Sequence, residues 1–174
     1  MSFFRNVSIT LIAAFAFNSA SAADIKLPDY QTVTLDNGAT VLLMPRKDVP
    51  LIAANIAVRG GALADAPGKE GTADILGEML SKGAGSRSAL QFAQTVDGAG
   101  GSIGFGSSRE AISANAQFLS KDSALMLSLL ADALLRPTMD SAEFDKLRKR
   151  AIDGIANAKD SDPRQLIGLY SGGW

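Results

Sequence analysis

Apolar residues recur along this chain with two different spacings. Gln31 to Leu35 and Ala39 to Met44 are rich in Val, Thr and Leu and flank Asp36-Asn37-Gly38. They predict a hairpin, because an Asn-Gly pair accepts the positive φ angles of a tight turn. Leu51 to Val58 is apolar enough for a central strand and is closed by Gly60-Gly61. At Thr72 the spacing changes to three and four: Ala73, Leu76, Met79 and Leu80 predict a short helix with one buried face and Thr72 as its cap. Ser88 and Gln91 fit a capping box for a second helix, with Ala89, Phe92, Ala93 and Val96 on one side and Gly98 as its stop.

A glycine-rich strand over 102–108 follows. Then Ala111 to Phe118 sets Ile112, Ala114, Ala116 and Phe118 against smaller or polar residues, as a half-buried strand should. Asp122 to Leu135 reads as a strongly apolar helix ended before Pro137. Asp140 with Glu143 opens a long charged helix whose inward positions are Phe144, Leu147, Ala151, Ile152 and Ile155. Hairpins rather than crossovers link the strands, which predicts an α+β fold, a largely antiparallel sheet with helices packed on one face. Residues 23–174 make one domain of ordinary size, able to bury roughly 68–70% of its unfolded surface.

Residues 1–22 have the pattern of a secretory signal: Arg5, an apolar run from Val7 to Phe17 too short to span a bilayer, and a small-x-small site at Ala20-Ser21-Ala22. The expected address is outside the cytoplasm, the periplasm if the host is Gram-negative. No second apolar run is long enough to cross a membrane, and a formal net charge of −1 gives no basic footprint for nucleic acid. Of 174 residues none is cysteine and none histidine. That removes disulfides, thiolate nucleophiles, imidazole-based triads and the usual zinc ligands. The glycines of 98–108 fit neither G-x-G-x-x-G nor a G-K-[ST] loop, so a turn entering a glycine-rich strand accounts for them better than phosphate binding.

The segment Gly71-Thr-Ala-Asp-Ile-Leu-Gly-Glu-Met-Leu-Ser-Lys-Gly83 closely resembles the block that carries the inverted motif H-x-x-E-H in the pitrilysin/insulinase-type (M16) zinc peptidases. Other stretches match that family's N-terminal domain in order: Leu35-Asp-Asn-Gly with its hairpin, Val58-Arg-Gly-Gly-Ala, Pro67-Gly-Lys-Glu-Gly71, Gly100-Gly-Ser-Ile, and Leu134-Leu-Arg-Pro-Thr followed by Glu143-Phe. The resemblance spans about residues 30 to 170. It implies the fold already read from the pattern, and a zinc site built from two histidines, a distant glutamate and a glutamate that activates water. Carried over by position, the histidines fall on Asp74 and Glu78, the general base on Gly77, and the third ligand on or beside Gly154. Asp153 is adjacent but points about 100° away on a helix.

By this resemblance the chain is expected to be a catalytically degenerate member that binds zinc weakly or not at all. It is expected to partner an active M16 subunit with an intact H-x-x-E-H and to help hold extended peptides. M16 subunits of the short kind consist of two such domains, so a chain stopping at Trp174 looks truncated. In the family, substrate pairs with the strand corresponding to Ser102, Ile103, Gly104, Phe105, Gly106 and Ser107. Here its glycines either open an edge to peptide or allow close packing under a helix, and Pro at Gly104 or Gly106 would remove an edge donor. Two other readings stay open: an active metal-dependent hydrolase with an altered site at Asp74 and Glu78, and a structural or binding domain with no peptidase partner. Against the altered site, Asp74 and Glu78 also read as a solvated acidic pair, with Glu78 meeting Lys82.

Overall fold

The computed structural model describes residues 28–161, so the 1–22 signal lies outside the described residues. Contacts divide the chain into a small unit through Arg46 and a larger one from Lys47.

In the small unit β1 (Gln31–Thr34) pairs antiparallel with β2 (Thr40–Leu43). The turn is longer than a two-residue Asn-Gly turn. Gly38 N–H donates to Leu35 C=O at 2.9 Å and Leu35 N–H to Ala39 C=O at 2.8 Å, and only Gly38 takes positive φ. This is a three-residue loop ending on a glycine bulge, with the Asn37 side chain receiving the Ala39 N–H.

The larger unit holds a three-stranded antiparallel sheet in the order β3 (Leu51–Arg59), β7 (Ala111–Leu119), β6 (Ser102–Ser107). Alternation along β7 decides its faces. Ala114, Ala116 and Phe118 are buried, whereas Asn115 and Gln117 are exposed. Ile52, Ala54 and Ile56 of β3 and Ile103 and Phe105 of β6 lie on the buried side, where Phe92 and Val96 of α2 (Ala89–Gly98) and Met126, Leu129, Leu130 and Ala133 of α3 (Ser123–Leu135) close the core. The fold is therefore α+β, with helices over one face of an antiparallel sheet. No helix among the described residues is long and apolar enough to cross a membrane.

The predicted helices form, with three differences in how they begin, end and pack. The Ser88–Gln91 capping box is present and Gly98 is the last residue of α2, but the left-handed residue that ends the helix is Gly100 rather than Gly98. Gly100 takes φ +62°, its N–H reaches Asp97 C=O and Gly101 N–H reaches Val96 C=O, the paired bonds of a Schellman end. In α1 (Thr72–Met79) the buried face is Ala73, Gly77 and Met79, followed by Leu80, while Leu76 turns outward. In α4 (Ser141–Ser161) Leu147 is buried, but Phe144, Ala151, Ile152 and Ile155 are exposed. The reason is one of length: α4 packs on α1, and eight residues cannot cover twenty-one.

Two short strands, β4 (Gly83–Ala84) and β5 (Arg87–Ser88), join α1 to α2 and are locked to the end of α3. Buried Asp132 of α3 is ion-paired with Arg87 at 2.9 Å and with Arg136 one turn on. Gly85 N–H donates to Arg136 C=O. The hydrogen bond from Arg136, with help from Arg87, holds the Asp132 carboxyl below its ordinary range against the opposing pull of burial. A carboxyl depressed in the fold contributes stability above its unfolded value near about pH 4 and loses it as pH falls through the folded value. Asp132→Asn is therefore expected to lower the thermal midpoint at neutral pH and to flatten its fall below about pH 4. A melting series across acid pH checks this, and an unchanged acid limb would remove Asp132 from the account.

Candidate functional site

The site is assembled by α1, the tip of the β6–β7 hairpin and α4. The start of α1 is fixed from outside the helix. Gly71 takes φ +90° as its cap residue, and the Asp65 carboxylate accepts the N–H groups of Gly71 at 2.8 Å and Ala73 at 2.9 Å. Thr72 is the first helical residue rather than the cap, and its hydroxyl donates back to Lys69 C=O at 2.6 Å. Asp65 thus satisfies two donors at the helix start, of which the Ala73 N–H is one that a cap side chain would meet.

From that start, Asp74 and Glu78 project one turn apart on the exposed side of α1 and Gly77 sits between them on the buried side. Each carboxylate has a partner from a different element. Ser107 at the end of β6 donates its hydroxyl to Asp74 Oδ1. Arg150 of α4 reaches Glu78 Oε2 at 3.3 Å. The partner expected from helix spacing, Lys82, is not the one Glu78 takes. Arg150 comes from 72 residues away, a distance no local pattern reports. With side-chain exposures of 67% and 51%, the Arg150–Glu78 pair is worth at most about 1 kcal/mol. Its role is orientation: it ties α1 to α4 one turn before Gly154.

Gly77 backs onto β6. A Cβ there would lie 3.0 Å from Gly106 C and 3.1 Å from Ser107 N, so α1 rests on the strand through a residue with no side chain. Gly154 is the opposite case, since a Cβ there would meet nothing within 4 Å. The structure thus brings Asp74, Gly77 and Glu78 together on α1, with α4 packed beside them. Among the described residues no three acidic side chains group to hold a metal. With no histidine in the chain and both carboxylates of α1 already engaged, the residues present do not fit a zinc ion.

The strand beside this site is an edge of the described sheet. Among the described strands β6 pairs only with β7. Ser108 N–H donates to Ala111 C=O at 2.8 Å, and antiparallel alternation carries this inward-pointing phase to Gly106, Gly104 and Ser102, opposite Ser113, Asn115 and Gln117. The outward N–H and C=O groups are those of Ile103, Phe105 and Ser107. Gly104 and Gly106 therefore spend their amides on β7, and proline at either would break the sheet rather than remove an edge donor.

The insulinase (peptidase family M16) model matches residues 41–169. The chain belongs to peptidase family M16. Over 139 residues this M16 chain is 28% identical to an uncharacterised zinc protease of Rickettsia bellii, a match covering 80% of the chain and 34% of that protein. It is 25% identical over 145 residues to the mitochondrial-processing peptidase subunit beta of Blastocladiella emersonii, covering 83% of the chain and 31% of the subunit. Among solved structures it is similar to a peptidase M16 inactive domain from Pseudomonas fluorescens, with a TM-score of 0.76 and 23% identity over 82% of the chain and 34% of that structure. Pitrilysin is similar with a TM-score of 0.65 and 24% identity, over 78% of the chain and 15% of pitrilysin. The chain spans about a third of the length of the two relatives named first. Its M16 part is the N-terminal-domain-like fold described above.

Proposed function

We propose that this protein is an exported, catalytically degenerate M16 domain that serves as the non-catalytic partner of an active zinc-peptidase subunit and contributes peptide binding along β6. The observation that carries the reading is the state of α1. Asp74 is engaged by Ser107, Glu78 by Arg150, and Gly77 is pressed against the Gly106–Ser107 peptide. Zinc catalysis needs open ligands and a carboxylate beside the metal-bound water, and none of these three positions supplies them. Support for a partner comes from the mitochondrial-processing peptidase beta chain, a subunit by name, and support for inactivity from a fold neighbour described as an inactive domain. The 1–22 pattern supports export, to the periplasm in a Gram-negative host.

The dialysed protein is expected to carry substoichiometric zinc and to show no chelator-sensitive cleavage of a casein-derived peptide. One zinc per chain together with such cleavage would overturn the proposal in favour of an altered active site. Asp74→His, Glu78→His and Gly154→Glu together are expected to raise zinc affinity without unfolding the chain, because all three positions face open space or solvent. Adding Gly77→Glu is a different matter, since the Gly106–Ser107 backbone must give by a few tenths of an ångström to admit it. For the peptide role, protection of the Ile103 and Phe105 amides from hydrogen exchange on adding an extended peptide is the direct readout.

A further inference from the structure

Among the described residues nothing requires Gly104 to be glycine. It lies mid-strand in β6 without positive φ, and a Cβ built on it would meet nothing within 4 Å. This separates it from Gly77, which packs on backbone, and from Gly61 and Gly101, whose Cβ positions are occupied. An interior glycine weakens a strand and leaves an unfilled space on its surface, and no described residue uses that space. It opens on the exposed face of the sheet, opposite Asn115 and flanked along β6 by Ser102 and Gly106, with no charged side chain among these neighbours.

The hydrogen-bond phase makes this position special for anything added at the edge. Gly104 and Asn115 form a hydrogen-bonded pair, with Cα atoms about 5.5 Å apart. On its other side the phase reverses. A strand joining antiparallel would bond to Ile103 and Phe105, so its residue facing Gly104 would occupy a non-hydrogen-bonded position, where Cα atoms approach to about 4.5 Å and side chains are in closest contact. A large flat side chain there can fold over the bare Gly104 backbone toward the Asn115 amide, covering a glycine that its own sheet leaves uncovered.

We propose that the notch over Gly104 is a side-chain subsite, and that the β6 edge selects extended, uncharged peptide segments that place an aromatic residue opposite Gly104. The inference rests on the edge-binding reading above and replaces an edge without selectivity by one with a defined preference.

The test uses the whole chain and a capped ten-residue Thr/Gln peptide with one central position varied among Ala, Phe and Trp. The Phe and Trp peptides are expected to bind about tenfold more tightly than the Ala peptide, while all three protect the Ile103 and Phe105 amides. Gly104→Val fills the notch in a backbone that accepts it, and its β-branched side chain suits a strand, so the variant is expected to fold. It should bring the three affinities within about twofold of one another, a spread worth less than 0.5 kcal/mol. Equal affinities for the three peptides in the wild type, with the amides protected, would overturn the notch and leave the edge reading standing. An aromatic preference that survives Gly104→Val would do the same. No binding and no protection with any of the three would overturn both.

Discussion

Gly61→Ala is expected to destabilise the fold by about 2–5 kcal/mol, combining the strain of a left-handed residue with overpacking. Gly61 is buried two residues beyond β3 with φ +61°, and an added Cβ would lie 2.3 Å from Ser108 C=O oxygen and 2.6 Å from Ala111 N. Those atoms cannot yield cheaply, because the segment is stitched to the β6–β7 hairpin. Gly60 N–H donates to Glu110 C=O, Ala62 N–H to Ser108 C=O and Leu63 N–H to Arg109 C=O, all within 3.0 Å. Urea titration of the variant measures the loss, and a midpoint equal to that of the parent chain would refute the account. The loss should spread to the candidate site, since Ser107, which holds Asp74, is the last residue of β6 before that stitched turn.

Phe118→Ala is expected to cost about 3–5 kcal/mol, the range for removing a fully buried aromatic ring. Its ring lies against the backbone of Gly101, where a Cβ would come within 2.5 Å of ring carbons. Gly101→Ala alone should therefore also be destabilising, through a ring forced from its place. The informative measurement is the double-mutant cycle. With the ring gone the added methyl has space, so Gly101→Ala should cost less in the Phe118→Ala background than in the parent chain. Additive losses would show that the two residues do not compete for the same volume.

The elements were legible in the sequence because each is signalled locally. The alternation of Ala114, Ala116 and Phe118, the capping pair Ser88–Gln91 and the break before Pro137 all report their structure within a few residues. The order of landmarks made the family legible as well. What could not be read depends on distance or on phase. Asp65 reaches α1 from a loop, Arg150 crosses from α4 to Glu78, and Asp132 draws Arg87 from 45 residues away. Asp132 did leave a sign, a lone acid inside an apolar helix with Arg136 at the next turn, the spacing of an ion pair. The inward faces of α1 and α4 were misjudged because periodicity marks an apolar stripe without saying how much of it a neighbour covers. The outward phase of β6 could not be known before the register was, and that phase moves the edge donors from the glycines to Ile103 and Phe105.

The position of β7 has a consequence for how the sheet comes into being. It is the middle strand in space but the last of the three in the chain, so β3, which pairs Leu51 with Leu119, has no place in this sheet until β7 has been made. The β6–β7 hairpin closes across a three-residue turn, whereas docking β3 requires closing a loop that contains α1 and α2. Loop-closure entropy therefore favours the hairpin as the template and β3 as the late arrival. Until then Leu-Ile-Ala-Ala-Asn-Ile-Ala-Val is an unpaired apolar strand, the kind of segment that other chains can capture, so the speed of reaching residue 119 bears on solubility as much as the stability of the finished sheet does.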